Sequence, residues 1–204
     1  MLAVGRSGIL KLARAWSFVV PEEIADRIAL YTQRLLEWNQ RVNLTGARTV
    51  NDLLGEHLPD SFALARLVPE TSDIVDIGSG GGLPAVPLAL LRPDCRITLV
   101  EPRAKRVAFL NMVTRVCGCA HVKVVRARLE DLQGSRFSIA TSRATFPPEE
   151  WLELAPMLLD RGGRAIVLST GQVRPEIAKP RLVDSIEYRT AGGAPRCAGC
   201  YCFT

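Results

Sequence analysis

The chain has 204 residues, 48% of them hydrophobic and 23% charged, which supplies one sizeable core and excludes a disordered or disulfide-scaffold protein. No run approaches the ~20 uninterrupted apolar residues of a membrane-spanning helix. Lysine and arginine number 26 against 21 aspartates and glutamates, a formal net charge of +5. That balance suits a phosphate-rich partner, because each neutralised phosphate releases a condensed counterion.

Taken in chain order, Met1 to Val20 is apolar but interrupted by Arg6, Lys11 and Arg14. A signal peptide keeps its charge ahead of an unbroken apolar block, so this segment reads as an amphipathic stretch on the body or as irregular chain. With no secretion signal, the six cysteines are expected as reduced thiols in a cytoplasm. Ile24, Ile28, Tyr31, Leu35, Trp38 and Val42 step by four and three, predicting a helix over Glu22 to Val42 with Glu22 and Glu23 in its first turn. A second helical segment, about 50–68, carries Leu53, Leu54, Leu58, Phe62 and Leu67. Residues 1–70 therefore read as a helical extension and 71–204 as one further domain.

From Asp73 short β-rich runs alternate with helical ones. Strands are predicted at 73–77, 96–100, 122–126, 137–142 and 163–169. Helices are predicted at 83–91, 103–117 (which Gly118 can end) and 147–159. The alternation predicts a doubly wound, mostly parallel α/β sheet with ligands at the carboxyl ends of its strands. The runs 182–189 and 196–203 read as a closing hairpin around Gly192-Gly193.

The loop Asp76-Ile77-Gly78-Ser79-Gly80-Gly81-Gly82 follows the first strand. Glycines there permit a tight turn and close approach of backbone to ligand. Dinucleotide and S-adenosylmethionine sites both use such a loop. The dinucleotide fingerprint wants glycine where Leu83 stands, so the spacing favours S-adenosylmethionine over NAD. The second strand ends in Glu101, a carboxylate suited to accept hydrogen bonds from both ribose hydroxyls. A glycine-rich turn beside a solvated glutamate is the plain alternative.

With these residues placed, the chain resembles the RsmG (GidB) family of bacterial methyltransferases acting on N7 of a guanine in 16S ribosomal RNA. The resemblance rests on Leu35 to Asn39, Val42-Asn43-Leu44-Thr45, His57-Leu58-Pro59-Asp60-Ser61 and Asp76 to Pro87. It continues in Lys105 to Leu110, Arg128-Leu129-Glu130 and Ser142-Arg143-Ala144, covering roughly residues 22–171. It implies the class I methyltransferase fold with a seven-stranded sheet, S-adenosylmethionine as cofactor and the small ribosomal subunit as partner. No obligate protein partner, membrane or metal is implied. Carried over by position, the family's cofactor contacts fall on Gly78, Leu83, Leu129, Glu130 and Arg143, which Gly80 and Glu101 join by their own chemistry. The chain departs from the pattern at Ala85, where the family has glycine, and at Thr145, which separates Arg143-Ala144 from Phe146. It has Thr170-Gly171 where the family has Lys-Gly, removing a cation that could meet RNA phosphate or the substrate base.

Guanine N7 carries a lone pair and no proton, so the reaction needs in-line positioning and a dry site, not a general base. Arg143 at the end of the fourth strand and Asp60 are the catalytic candidates, Asp60 as a carboxylate favouring the charge shift from sulfur to purine. Arg103, Lys105, Arg106, Arg115, Lys123, Arg126 and Arg128 form a basic surplus for RNA backbone or simply solvated helix faces. Trp16, Trp38 and Trp151 offer stacking surfaces, with Trp38 better explained as core. His57 reads as structural or substrate-orienting, and Asn39 and Asn43 as recognition or local capping. Cys117, Cys119, Cys197, Cys200 and Cys202 lack the paired spacing of a zinc site. Two other function classes stay open at this point: a cofactor- and RNA-binding protein with weakened catalysis, and an NAD-dependent oxidoreductase.

Overall fold

The computed structural model describes residues 2–170 and 180–203. Gly171 of the Thr170-Gly171 pair lies outside the described residues. The N-terminal half is helical: α1 (Leu2–Ala15), α2 (Glu22–Asn39), α3 (Val50–Asp52) and α4 (Leu58–Leu67), with a π-helical turn at Leu53–His57 joining the last two. Within the apolar N-terminal segment, Leu2–Ala15 is thus a helix lying on the body. Ile9 and Ala13 are buried, and a Cβ on Gly5 would meet the Cβ of Ala29 at 3.1 Å, so α1 and α2 approach closely.

Helix α2 stops at Asn39, short of the expected Val42, because the Asn39 side chain turns the chain itself. Its Oδ1 accepts from the amides of Leu44 (2.8 Å) and Thr45 (3.0 Å), and its Nδ2 donates to the Thr45 carbonyl at 2.8 Å. Asn39 is therefore spent on local structure. Helix α3 opens on a reciprocal pair of bonds between Thr49 and Asp52, satisfying two otherwise orphaned amides.

The rest alternates as β1 (Asp73–Ile77), α5 (Ala85–Leu91), β2 (Arg96–Val100), α6 (Ala104–Val116), β3 (Val122–Val125), β4 (Phe137–Ser142), α7 (Pro148–Leu154), β5 (Leu159–Thr170), β6 (Arg181–Arg189) and β7 (Pro195–Cys202). The helix after the glycine loop begins at Ala85, because Leu83 and Pro84 are still completing the turn. Strand β5 begins four residues earlier than its apolar run, entered directly from a 3-10 turn at Ala155–Leu158 that ends the expected 147–159 helix.

The seven strands lie in the order β3-β2-β1-β4-β5-β7-β6. The first five pair in parallel, while β7 runs antiparallel between β5 and β6. The hairpin expected at the end of the chain is present and inserts its second strand, which closes the sheet. Strand order reverses between β1 and β4, and there a crevice opens at the carboxyl ends of parallel strands. One large apolar cluster joins α1, α2, α4, α5 and α6 to one face of the sheet, and a smaller one packs α7 on the other. Trp38 is half-buried with its ring centroid 5.5 Å from that of Phe109, a core role as expected. Trp151 is fully buried and donates its indole N–H to the Ile166 carbonyl at 3.3 Å. Among the described residues no helix is long and apolar enough to cross a membrane.

Candidate active site

The glycine loop leaves β1 at the reversal point. Gly78, Gly80 and Gly82 have φ of 73°, 54° and 83°, the left-handed region that L side chains rarely adopt. The amides of Gly78 and Ser79 donate to the Val100 carbonyl at 2.9 and 3.1 Å, and the Tyr31 hydroxyl of α2 donates to the Gly81 carbonyl at 2.8 Å. The helical half of the chain therefore holds the loop from outside, while β2 holds it from within. Ala85, where the family has glycine, is fully buried at the start of α5.

Glu101 is 2% exposed at the end of β2. Its two oxygens accept from the amides of Gly80 (3.0 Å) and Arg103 (2.9 Å), with Arg106 Nη1 at 3.6 Å. A carboxylate so placed ties the loop to β2 and keeps lone pairs for a diol. Beside it lies a cavity of about 200 Å³ lined by Ile77, Gly78, Val100, Pro102, Leu129 and Glu130, among others. Gly78, Leu129, Glu130 and Glu101, far apart in sequence, are thereby gathered at one place. Gly80, whose amide donates to Glu101, and the buried Leu83 are not among the lining residues.

A second cavity, about 360 Å³, is lined by His57, Asp60, Arg143, Thr170, Arg196 and neighbouring residues. Phe146 lines both cavities and stacks on Trp151 with centroids 5.9 Å apart and planes within 12°. In the larger cavity Arg143 Nη1 donates to Asp60 Oδ2 at 2.7 Å, and Tyr188 Oη donates to Asp60 Oδ1 at 2.7 Å. Arg143 Nη2 lies 3.3 Å from His57 Nδ1. Burial first, and then the Arg143 charge, pull His57 below its ordinary 6.5. Because a guanidinium only donates, the contact suits a neutral ring that accepts at Nδ1. The next residue, Ala144, has φ of 57°, a strained conformation for alanine immediately after Arg143.

Asp60, expected as a carboxylate favouring the charge shift from sulfur to purine, is paired with Arg143. Tyr188 and Arg196 were not foreseen, since nothing local in the sequence marks them. The antiparallel register places Arg196 opposite Thr170, and Tyr188 opposite Arg196. Arg196 Nε is buried without a hydrogen-bond partner. A cation thus stands beside the position where the family lysine is missing. Among the described residues no group of three metal-ligating side chains forms.

A family model described as rRNA small subunit methyltransferase G matches residues 24–190. A Ralstonia nicotianae protein named ribosomal RNA small subunit methyltransferase G is 35% identical over 208 residues, spanning 95% of this chain and 92% of that protein. Its namesake in Helicobacter pylori (strain J99) is 38% identical over 149 residues, or 72% and 83%. Among solved structures, P. horikoshii TYW2 in complex with MeSAdo superposes with a TM-score of 0.59 at 13% identity, over 72% of this chain and 62% of that one. TrmN from Thermus thermophilus superposes at 0.54 and 20% identity, over 70% of this chain and 48% of its own. At such identities these two show the fold, a class I methyltransferase sheet, and this chain spans only about half to three-fifths of their lengths. From the family match and the long alignments at over one-third identity, the chain belongs to the GidB family, rRNA small subunit methyltransferase G.

Proposed function

We propose that the chain transfers a methyl group from S-adenosylmethionine to N7 of a guanine in 16S ribosomal RNA, acting in the cytoplasm on the small ribosomal subunit. The observation that carries this reading is the pair of cavities meeting at Phe146, one beside the glycine loop and Glu101, the other around Arg143. The residues present fit the cofactor. Ile77, Val100, Leu129 and Phe146 give apolar walls for a flat ring, and Glu101 offers acceptors for a ribose diol. A Cβ on Gly78 would lie 2.1 Å from Thr145 Oγ1, so the loop takes glycine there or closes.

S-adenosylmethionine, when bound, supplies an electrophilic sulfonium methyl. N7 presents a lone pair with no proton to remove, so the chain's residues bind, orient and exclude water. Arg143 and Arg196 bring donor-only groups to one cavity, where a splayed guanine offers O6 and its phosphate as acceptors. Asp60, paired with Arg143, orients that guanidinium instead of acting as a free charge. Exposed Arg128 lines the smaller cavity and Arg126 donates to the carbonyl of the lining residue Pro102 at 3.3 Å; with the exposed Arg103 and Lys105 they suit RNA phosphate. Residues 71–204 would form the methyltransferase unit, with 1–70 as the helical extension that holds the glycine loop.

Mass spectrometry of small-subunit RNA from a strain lacking this chain tests the substrate. Loss of one 7-methylguanosine is expected, and an unchanged methylation pattern refutes it. Calorimetry with S-adenosylhomocysteine and NAD side by side tests the cofactor. Heat with NAD alone would revive the oxidoreductase reading. Arg196 beside Thr170 speaks against the reading in which catalysis is weakened for want of a cation.

A further inference from the structure

We infer that Tyr188 is a positioning residue for methyl transfer, acting through Asp60 to fix the Arg143 guanidinium in the larger cavity, which meets the one beside the glycine loop at Phe146. The inference rests on the proposed role of Arg143 and adds a residue outside the glycine loop and every segment that carries the family resemblance.

A carboxylate on Cβ turns easily, because its terminal torsion has a broad, two-fold energy profile. Asp60, 4% exposed on α4, is gripped at both oxygens from different walls: Oδ2 by Arg143 at the end of β4, and Oδ1 by Tyr188 on β6, each at 2.7 Å. With one grip removed, the carboxylate can rotate and Arg143 keeps only its longer contact with His57. The grip by Tyr188 is permanent. Burial, and then the neighbouring Asp60 charge, push its phenol far above 10, so it remains a donor at every working pH. The ring is also immobilised. It meets Trp16 edge-on with centroids 5.2 Å apart, and Trp16 stacks on Phe62 at 6.3 Å. Trp16, just beyond α1, and Phe62 of α4 are both in the helical half of the chain. The closing hairpin and that helical half thus converge on one carboxylate 128 residues away from Tyr188 in sequence. A tyrosine serving only as core would need no acceptor there, and phenylalanine would fill the space.

The test uses the full chain, purified small subunits and labelled S-adenosylmethionine. Tyr188→Phe keeps the ring against Trp16 and removes only the hydroxyl. It is expected to lower kcat about tenfold, the scale of one hydrogen bond to a charged group, while the KM for small subunits stays within twofold. In an Arg143→Lys background the same substitution should cost less than twofold, since a lysine cannot use the orientation that Asp60 imposes. An independent readout is the side-chain N–H resonances of Arg143, assigned by their loss in Arg143→Lys. They should be sharp in the parent and broadened or averaged in Tyr188→Phe. Unaltered resonances, unaltered kcat, or the same tenfold loss in both backgrounds would overturn the inference. Should Arg143→Lys keep full activity, the proposed role of Arg143 fails instead, and the resonances still decide whether Tyr188 positions it.

Discussion

Asp76 opens the glycine loop from a position where water cannot reach it, and this makes the stability of the protein depend on pH in an unusual direction. It is 1% exposed, its Oδ2 has no hydrogen-bond partner, and its neighbour across the parallel ladder, Thr141, also has an unpartnered hydroxyl. Burial pushes its carboxyl up from 3.8 to about 7, against the opposing pull of the Ser79 hydroxyl and the Arg143 charge, with Glu101 reinforcing the rise. Between those values the folded chain holds a proton that the unfolded chain has already released. Stability therefore falls as pH rises through this window, the contribution being fully present below 3.8 and lost above 7. The gap is roughly three pH decades at about 1.36 kcal/mol each, or about 4 kcal/mol. Asp76→Asn keeps the shape and removes the titration. Urea unfolding of both proteins from pH 4 to pH 8 should show near-equal stability at the acid end and a growing advantage for the variant towards pH 7. Carboxylates held low by partners, such as Asp94 beside Arg92, titrate alike in both proteins and cancel in the difference. A difference that stays constant between pH 5 and pH 8 would refute the argument.

Three further outcomes are expected. Gly82→Ala must place a side chain at φ 83° with its Cβ 2.6 Å from Val86 Cγ2, and should cost about 2 kcal/mol, read as a melting temperature lowered by about 5 °C in scanning calorimetry. Glu101→Gln removes the charge that ties Gly80 to Arg103 and would meet the ribose, so S-adenosylhomocysteine should bind roughly 10- to 100-fold more weakly by titration calorimetry. Replacing exposed Arg126 and Arg128 together by glutamine should flatten the dependence of RNA affinity on salt by about 1.5 in the log–log slope, as filter binding at graded salt would measure. An unchanged slope would move the RNA interface elsewhere.

Much of the architecture follows from local pattern. The β-branched runs at 73–77 and 96–100 form strands as read, the one expected at 122–126 ends at Val125, and the apolar stripe from Ile24 to Trp38 lies on one helix. Boundaries moved where side chains intervened, as when Asn39 closes α2 or when Leu83 and Pro84 delay α5. The cofactor side of the site was also legible, because a glycine loop and an acid one strand later are short-range features of a single β-loop-α-β unit. Glu101 and Gly80, 21 residues apart, meet by the geometry of that unit alone.

The substrate side was not legible in the same way. Arg143 and Asp60 could be named from the sequence, but that they form an ion pair follows from α4 packing across the end of β4, 83 residues away. Tyr188 and Arg196 carry no motif. Arg196 reaches the cavity and Tyr188 reaches Asp60 only because β7 inserts between β5 and β6; a one-residue slip of β7 on β5 would turn both side chains to the opposite face, and a slip of β6 on β7 would turn Tyr188 alone. By itself, then, the sequence determined the doubly wound sheet, the glycine loop and the acid that serves it, all products of periodicity and chain-local turn chemistry. Only the tertiary structure decided what surrounds Arg143, because that depends on the pairing of the last hairpin, which is set by long-range register and not by any local preference.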